Sequence, residues 1–356
     1  MSRETALPIV QSVMSISPET RARRPTACTR RAVLAGAWCA VLAAPAIARA
    51  AGTLSFSGPW GETALGQPAR RVVSLGYTTQ DPLLALGVAP LAVREWFGGH
   101  PYAAWPWAEA HLDGAEPVVL TGEVSAELIA GFNPDLIIGI GSGISRAEYE
   151  LLSQIAPVLM QSRDQPAFGS PWDADTRRIG RALGRSDKAE GLVAAVRAEF
   201  AAMRRRHPDW QRATAVAAWQ NGGQTGAFMP GDTRARFFAE LGFSLPERLR
   251  KLAAVDGFYT TLSPEDLTPL EADLLVWISS FGGAEDIATL PMRRTLDAHL
   301  KGREVFADEV TAGALSFGSV LSLPFALKAL EPEIVAALDG NPGTVVPSAA
   351  AAGLLP

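Results

Sequence analysis

Residues 186–207 restrict the possible folds more than any other part of the chain. Ala189, Leu192, Val193, Val196, Phe200 and Met203 recur at spacings of three and four, which draws one apolar stripe down a helix. At 1.5 Å per residue such a helix reaches about 30 Å, the width of a whole lobe. Ser186 is placed to cap it, Arg204, Arg205 and Arg206 complement the negative end of its dipole, and Pro208 stops it. On either side the pattern changes to short apolar runs separated by helical stretches. The chain is therefore expected to be α/β, with two lobes joined by one long helix.

Before that helix, the apolar residues 72–75 end in Gly76, residues 81–86 read as helical, and Gly87 releases the chain into a second short run at 91–93. A helix from Ser125, a strand over 136–140, a helix over 148–154 and a short strand over 158–160 follow, so the first sheet should be mainly parallel. After the helix come a strand over 215–219, a helix over 232–241, and strands over 274–278 and 304–306. The expected division is a first lobe over 51–170, a helical linker over 171–208 and a second lobe over 209–340. Residues 341–356, rich in Ala, Gly and Pro without periodicity, read as a loose tail.

The first fifty residues have a separate logic. Arg30-Arg31 precedes an apolar run ending near Ala46, and Ala48-Arg49-Ala50 supplies small residues suited to a signal peptidase, so residues 1–50 read as a twin-arginine export signal cleaved near Ala50. The run is shorter than the roughly 20 residues needed to span a bilayer. Both cysteines, Cys28 and Cys39, lie inside this segment, which leaves the remainder without disulfide or thiolate chemistry. The segment holds seven arginines and two glutamates of a chain whose net charge is −5, so residues 51–356 carry −10 and make a poor nucleic-acid partner.

Catalytic signatures are missing. There is no nucleophile elbow or Walker loop, and Gly139, Gly141 and Gly143 fall short of a dinucleotide fingerprint. Asp135 and Asp273 open equivalent strands of separate lobes rather than forming an acid/base pair. His100, His111, His207 and His299 lack a metal-ligand spacing, and Tyr77, Tyr102, Tyr149 and Tyr259 are scattered, so no metal site is expected.

Two segments echo each other: Ser125-Ala126-Glu127 lies before Asp135-Leu136, and Ser263-Pro264-Glu265 before Asp273-Leu274, with eight residues from Glu to Asp in both. Each serine suits an N-cap, with the glutamate in the first helical turn and exposed. Arg71-Val72-Val73-Ser74-Leu75-Gly76 with Leu83-Leu84-Ala85-Leu86-Gly87-Val88, then Asn133-Pro134-Asp135-Leu136-Ile137-Ile138, and finally residues 313–324 resemble the iron-siderophore and vitamin B12 binding proteins that serve ABC transporters. The resemblance runs from about Arg71 to Leu338. It implies a class III periplasmic binding protein: two Rossmann-like lobes with mainly parallel sheets joined by one long backbone helix, monomeric and periplasmic. It also implies capture of a ferric siderophore in an inter-lobe cleft and delivery to an ABC permease dimer. Glu127 and Glu265 occupy the positions at which that family pairs with permease arginines. No cofactor is implied, iron arriving only inside the chelate. Cobalamin, haem or a bare divalent metal remain alternative ligands, and an exported α/β enzyme is the alternative of another class.

For the cleft itself, the aromatic loop 94–107 offers Arg94, Trp96 and Trp105 as ligand contacts, with Trp107 assigned to the core. The second lobe offers Trp219, Arg234, Tyr259 and Phe317 at strand ends, where ligands of open α/β sheets gather. Arg234 and Arg236, two apart, cannot both face inward. A hydroxamate-binding relative carries an arginine near the position of Thr121, a grip this chain lacks.

Overall fold

The computed structural model describes residues 53–278 and 283–356. The expected export segment, residues 1–50, lies outside them. Among the described residues no helix is long and apolar enough to cross a membrane.

The described residues open with an antiparallel hairpin, β1 (Leu54–Gly58) and β2 (Gly61–Leu65), which buries Phe56. The first sheet follows: β3 (Val72–Ser74), β4 (Ala92–Arg94), β5 (Val118–Leu120), β6 (Leu136–Ile138) and β7 (Val158–Leu159). All its pairings are parallel, in the order β5-β4-β3-β6-β7, with α1 (Gln80–Ala85), α2 (Ala126–Gly131) and α3 (Arg146–Leu152) among the crossovers. Side chains alternate across a strand, so Val72, Leu136 and Ile138 enter one core with Leu83 and Ile179. Val73 and Ile137 enter the opposite core with Ile129 and Leu152. Burial on both faces is why these strands read as unbroken apolar runs.

Two helices, α4 (Trp172–Ala182) and α5 (Ser186–Arg206), link the lobes. The stripe on α5 serves both: Ala189 packs into the first lobe's core, and Val196, Phe200 and Met203 pack into the second's. Ser186 is not the cap. Arg185 holds that position and, having no side-chain acceptor, makes no capping bond; its amide bonds back to the Gly180 carbonyl and its guanidinium donates to the Leu86 carbonyl.

In the second lobe, β8 (Ala215–Asn221) and β9 (Gln224–Phe228) lead into α6 (Thr233–Leu241) and α7 (Glu247–Arg250). β10 (Tyr259–Leu262), β11 (Leu274–Ile278), α8 (Ala284–Ala288), α9 (Asp297–Leu300), β12 (Glu304–Ala307), α10 (Glu309–Phe317), α11 (Ser322–Ala337) and α12 (Pro347–Ala351) complete it. The strand order is β10-β9-β8-β11-β12; β8, β11 and β12 are parallel, whereas β9 and β10 run antiparallel at one edge.

The sequence echo between the lobes has a structural counterpart. Asp135, before β6, accepts bonds from the Arg70 and Arg71 amides just before its partner β3; Asp273, before β11, accepts from the Thr214 amide just before its partner β8. Each aspartate pins the start of a central strand pair, a structural role that leaves neither facing the other. The echo is incomplete at the glutamates. Ser125 caps α2, accepting from the Leu128 amide at 3.2 Å, but Ser263-Pro264-Glu265 forms a turn and no helix follows directly, since Asp266 and Thr268 close a tight bend there.

The tail is not loose. Val346, Ala349 and Leu354 are buried against the second lobe, and the Leu354 carbonyl accepts a bond from the buried Arg293. Small apolar residues can pack without the periodicity that would have announced them.

Candidate functional site

Strand order in the first sheet reverses beside β3, where the chain goes one way to β4 and returns on the other side as β6. Loops leaving β3 and β6 must diverge there, which opens a crevice at the carboxyl ends of the strands. Gly76 lets the two loops start in contact: a Cβ at that position would collide with the Ile140 carbonyl oxygen. Beyond it, Tyr77, Thr78 and Thr79 face Ile140 and Gly141, and Trp96 joins from the loop after β4. These residues form the first-lobe wall of a cavity of about 470 Å³, within the range of small-molecule sites.

The second-lobe wall comes from the opposite pole of its sheet. Because β9 runs antiparallel to β8, residues after β9 and before β10 lie beside the amino ends of β8 and β11. Asp232, Thr233 and Arg234 follow β9; Asp256, Phe258 and Tyr259 lead into β10; and α10 returns from β12 to place Ser316 and Phe317 beside them. The expectation of carboxyl strand ends thus holds for the first lobe only. Phe168, Trp172 and Asp175, from the segment entering α4, close the side.

Of the residues singled out from sequence, Trp96, Arg234, Tyr259 and Phe317 lie in the cavity wall. Trp96 stands 5.9 Å from Tyr77 and 6.0 Å from Phe317 between ring centroids, so the ring surface is continuous across the lobes. Trp105, Trp219 and Arg94 are not in the wall. Trp105 is 1% exposed, stacked on Trp107 at 5.0 Å and wedged against α10 where Gly313 leaves room; a Cβ there would approach its ring to 2.6 Å. Trp107, assigned to the core from sequence, is the half-buried member of the pair. Trp219 covers the Gly226 backbone, two residues along β9 from the cavity end. Arg94 donates to the Ser142 and Gly122 carbonyls and lies over the Tyr77 ring at 4.8 Å, bracing the wall from behind.

Arg234 and Arg236 do point apart. Arg236 donates to the Gly169 and Gly231 carbonyls. Arg234 sits over the Phe228 ring and forks onto both carboxylate oxygens of Asp232, at 2.8 Å each. Asp175 lies in the cavity wall, where burial raises its carboxyl to about 7 against the pull of a 2.6 Å bond donated by Ser170. The stretch Phe168-Gly169-Ser170-Pro171-Trp172 escaped the sequence reading, although a glycine and proline flanked by rings just before a helix is a legible signal of an ordered loop.

Beside the cavity the lobes are tied directly. The carboxylate of Asp81, on α1, accepts a bond from Trp107 Nε1 at 2.8 Å and another from the Ser319 hydroxyl of the second lobe. Phe317 and Phe325 meet the Trp107 ring at 5.4 and 5.7 Å. Glu127 and Glu265 are both exposed, on the surfaces of separate lobes.

Comparison with known proteins gives a consistent picture. The family profile described as periplasmic binding protein matches residues 72–312. Among solved structures, a periplasmic solute binding protein from Mycobacterium smegmatis is 31% identical with a TM-score of 0.71, covering 81% of this chain and 99% of its own. PiaA of Streptococcus pneumoniae in complex with ferrichrome is 21% identical with a TM-score of 0.67, covering 81% and 99%. SirA of Staphylococcus aureus complexed with staphyloferrin B is 22% identical with a TM-score of 0.65, covering 79% and 98%. A search of the curated proteins matched none of them.

Proposed function

The chain belongs to the periplasmic binding protein family, a family of solute-binding proteins and not of enzymes, and from that premise we propose that it captures a ferric siderophore between its lobes and hands it to an ABC permease. The observation that carries this reading is the cavity itself: about 470 Å³, open between the lobes, walled by Tyr77, Trp96, Phe168, Trp172, Tyr259 and Phe317. Ring faces and a few hydroxyl donors suit a bulky chelate whose periphery mixes apolar arms with oxygens. Among the described residues no three His, Cys, Asp or Glu side chains are grouped to hold an ion, which favours a chelated iron over a bare one. Iron is then cargo, and the protein needs no cofactor of its own.

In this reading the protein acts in the periplasm as a monomer, exported by the segment at residues 1–50, with Glu127 and Glu265 as the contacts to a permease dimer. The ligand experiment is tryptophan quenching of the purified protein against ferric siderophores, their iron-free forms, haem, cobalamin and free divalent metals. Saturable quenching by a ferric siderophore at sub-micromolar concentration, with Trp96 as the reporter, is the expected result. A response to cobalamin, haem or free metal alone overturns it.

A further inference from the structure

The charged groups of the cavity wall are unequal in number and in availability. One cation, Arg234, faces three carboxylates, Asp175, Asp232 and Asp256. Arg234 is moreover already spent, since its Nε and Nη2 fork onto both oxygens of Asp232 and its Nη1 lies 3.5 Å from the Ser316 hydroxyl. The guanidinium groups behind the wall are committed to backbone carbonyls: Arg94 to Ser142 and Gly122, Arg178 to Met160 and Ser57, and Arg236 to Gly169, Gly231 and Pro230. Among the described residues no arginine is left in the wall to grip an anionic oxygen, and a carboxylate or catecholate periphery brought into this space would meet like charge at Asp256 and, unless it took up a proton, at Asp175, whose carboxyl burial already raises to about 7. Like-charge juxtaposition disfavours an anion here, though solvent screens it at the exposed Asp256, and forked arginines are the usual answer to anionic oxygens. The net charge of −10 over residues 51–356 adds a weaker, longer-ranged repulsion of the same sign.

We infer that this cavity selects ferric chelates that carry no net negative charge, taking a neutral or cationic hydroxamate-type complex and rejecting catecholate and polycarboxylate ones. The inference rests on the siderophore reading of the site. Its chemistry is simple: three hydroxamates each lose one proton on binding ferric iron, so their charges cancel the metal's, whereas three catecholates lose six protons and leave a trianion. A pendant ammonium on a hydroxamate chelate would find Asp175 or Asp256 as its partner, and the neutral oxygens would find the hydroxyls of Tyr77 and Tyr259. Specificity of this kind comes from what the site repels as much as from what it holds.

The test is a quenching titration of the unmodified protein with four probes: ferrichrome, which is neutral; ferrioxamine B, which carries one positive charge; ferric enterobactin, a trianion; and ferric citrate. The expected result is saturation by the first two, with the anionic pair weaker by about 100-fold or more. If ferric enterobactin or ferric citrate binds more tightly than either hydroxamate, the charge inference is overturned while the siderophore reading stands. If none of the four binds, that reading falls and the inference with it. The double variant Asp175→Asn, Asp256→Asn adds a second readout on the same probes: the ratio of enterobactin to ferrichrome affinity should shift toward the anion by about 3-fold to 10-fold, the repulsion at Asp256 being partly screened by solvent and that at Asp175 partial. A ratio that does not move overturns the electrostatic origin of the selection.

Discussion

Asp81 holds a carboxylate out of solvent at the junction of the lobes, bonded on one oxygen to Trp107 and Ser319 and on the other to nothing among the described groups. Burial is the main reason its pKa rises from 3.8 to about 7, the two donated bonds only partly opposing it. The sign follows from proton linkage. A folded pKa above the unfolded one means that the native state binds the extra proton, so its contribution to stability is complete below about pH 4 and is lost as pH rises through about 7. Asp175, also raised to about 7, adds a slope of the same sign. Urea unfolding should therefore show stability falling between about pH 4 and pH 7. Asp81→Asn, which keeps an oxygen for both donors, should reduce that fall by roughly 1–3 kcal/mol without abolishing it. An unchanged slope would mean that Asp81 does not titrate in this range. None of this was visible in the sequence, where Asp81 reads as an ordinary first-turn carboxylate; Ser319 lies 238 residues away.

Elements at the far end of the second lobe depend on one another in a way their composition conceals. Glu304, on β12, accepts from Trp277 Nε1 at 2.9 Å, from Arg293 Nη1 at 3.3 Å and makes a 2.8 Å bond with His299 Nδ1, all essentially out of solvent. Arg293 also donates to the Leu354 carbonyl, tying α12 and the chain beyond it into this network. Removing one partner of a buried ion pair leaves the other uncompensated, so Arg293→Met should cost about 3–5 kcal/mol in chemical unfolding. Ending the chain at Val345 should cost roughly 3–6 kcal/mol, from Val346 and Leu354 alone, if each loses its full burial. A truncated protein as stable as the full chain would restore the loose-tail expectation. The long helix, by contrast, was readable in advance, because a stripe of six apolar residues at helical spacing has no other way to be buried.

For the whole molecule, the helix that was easiest to read also sets the mechanics. α5 contributes Ala189 to one core and Phe200 to the other, so the lobes share a rigid member, and Trp105 against Gly313 adds a second tie. Closure on a ligand is then limited to small motions and loop adjustments. The proposed docking on a permease also depends on the whole body. Glu127 is held on the first turn of α2, and Glu265 on a turn of the other lobe; both are exposed. One exposed ion pair is worth little, about 0–1 kcal/mol, but two on one rigid body act together on orientation and encounter. Reversing both charges, Glu127→Lys with Glu265→Lys, should abolish uptake of the ferric ligand in cells while its binding to the purified protein is unchanged. Uptake that survives the double reversal would remove these two residues from the docking surface.

What the sequence by itself determined was the set of parts: strands that are apolar throughout because both faces are covered, the helix between two α/β halves, and the paired Asp135 and Asp273 that start equivalent strands. These are local patterns, set by the periods of the backbone and by the need to bury every apolar run. Only the tertiary structure decided which rings face the cavity. Trp96 and Trp105 stand nine residues apart in one loop with the same composition around them, yet one lines the cavity and the other is driven against α10, because Gly313 leaves room for a ring there and nowhere does the loop itself specify it. The pairing of Arg234 with Asp232, and the approach of Asp175 and Asp256 from separate segments, are likewise products of chain packing, and it is they that set the charge the cavity presents.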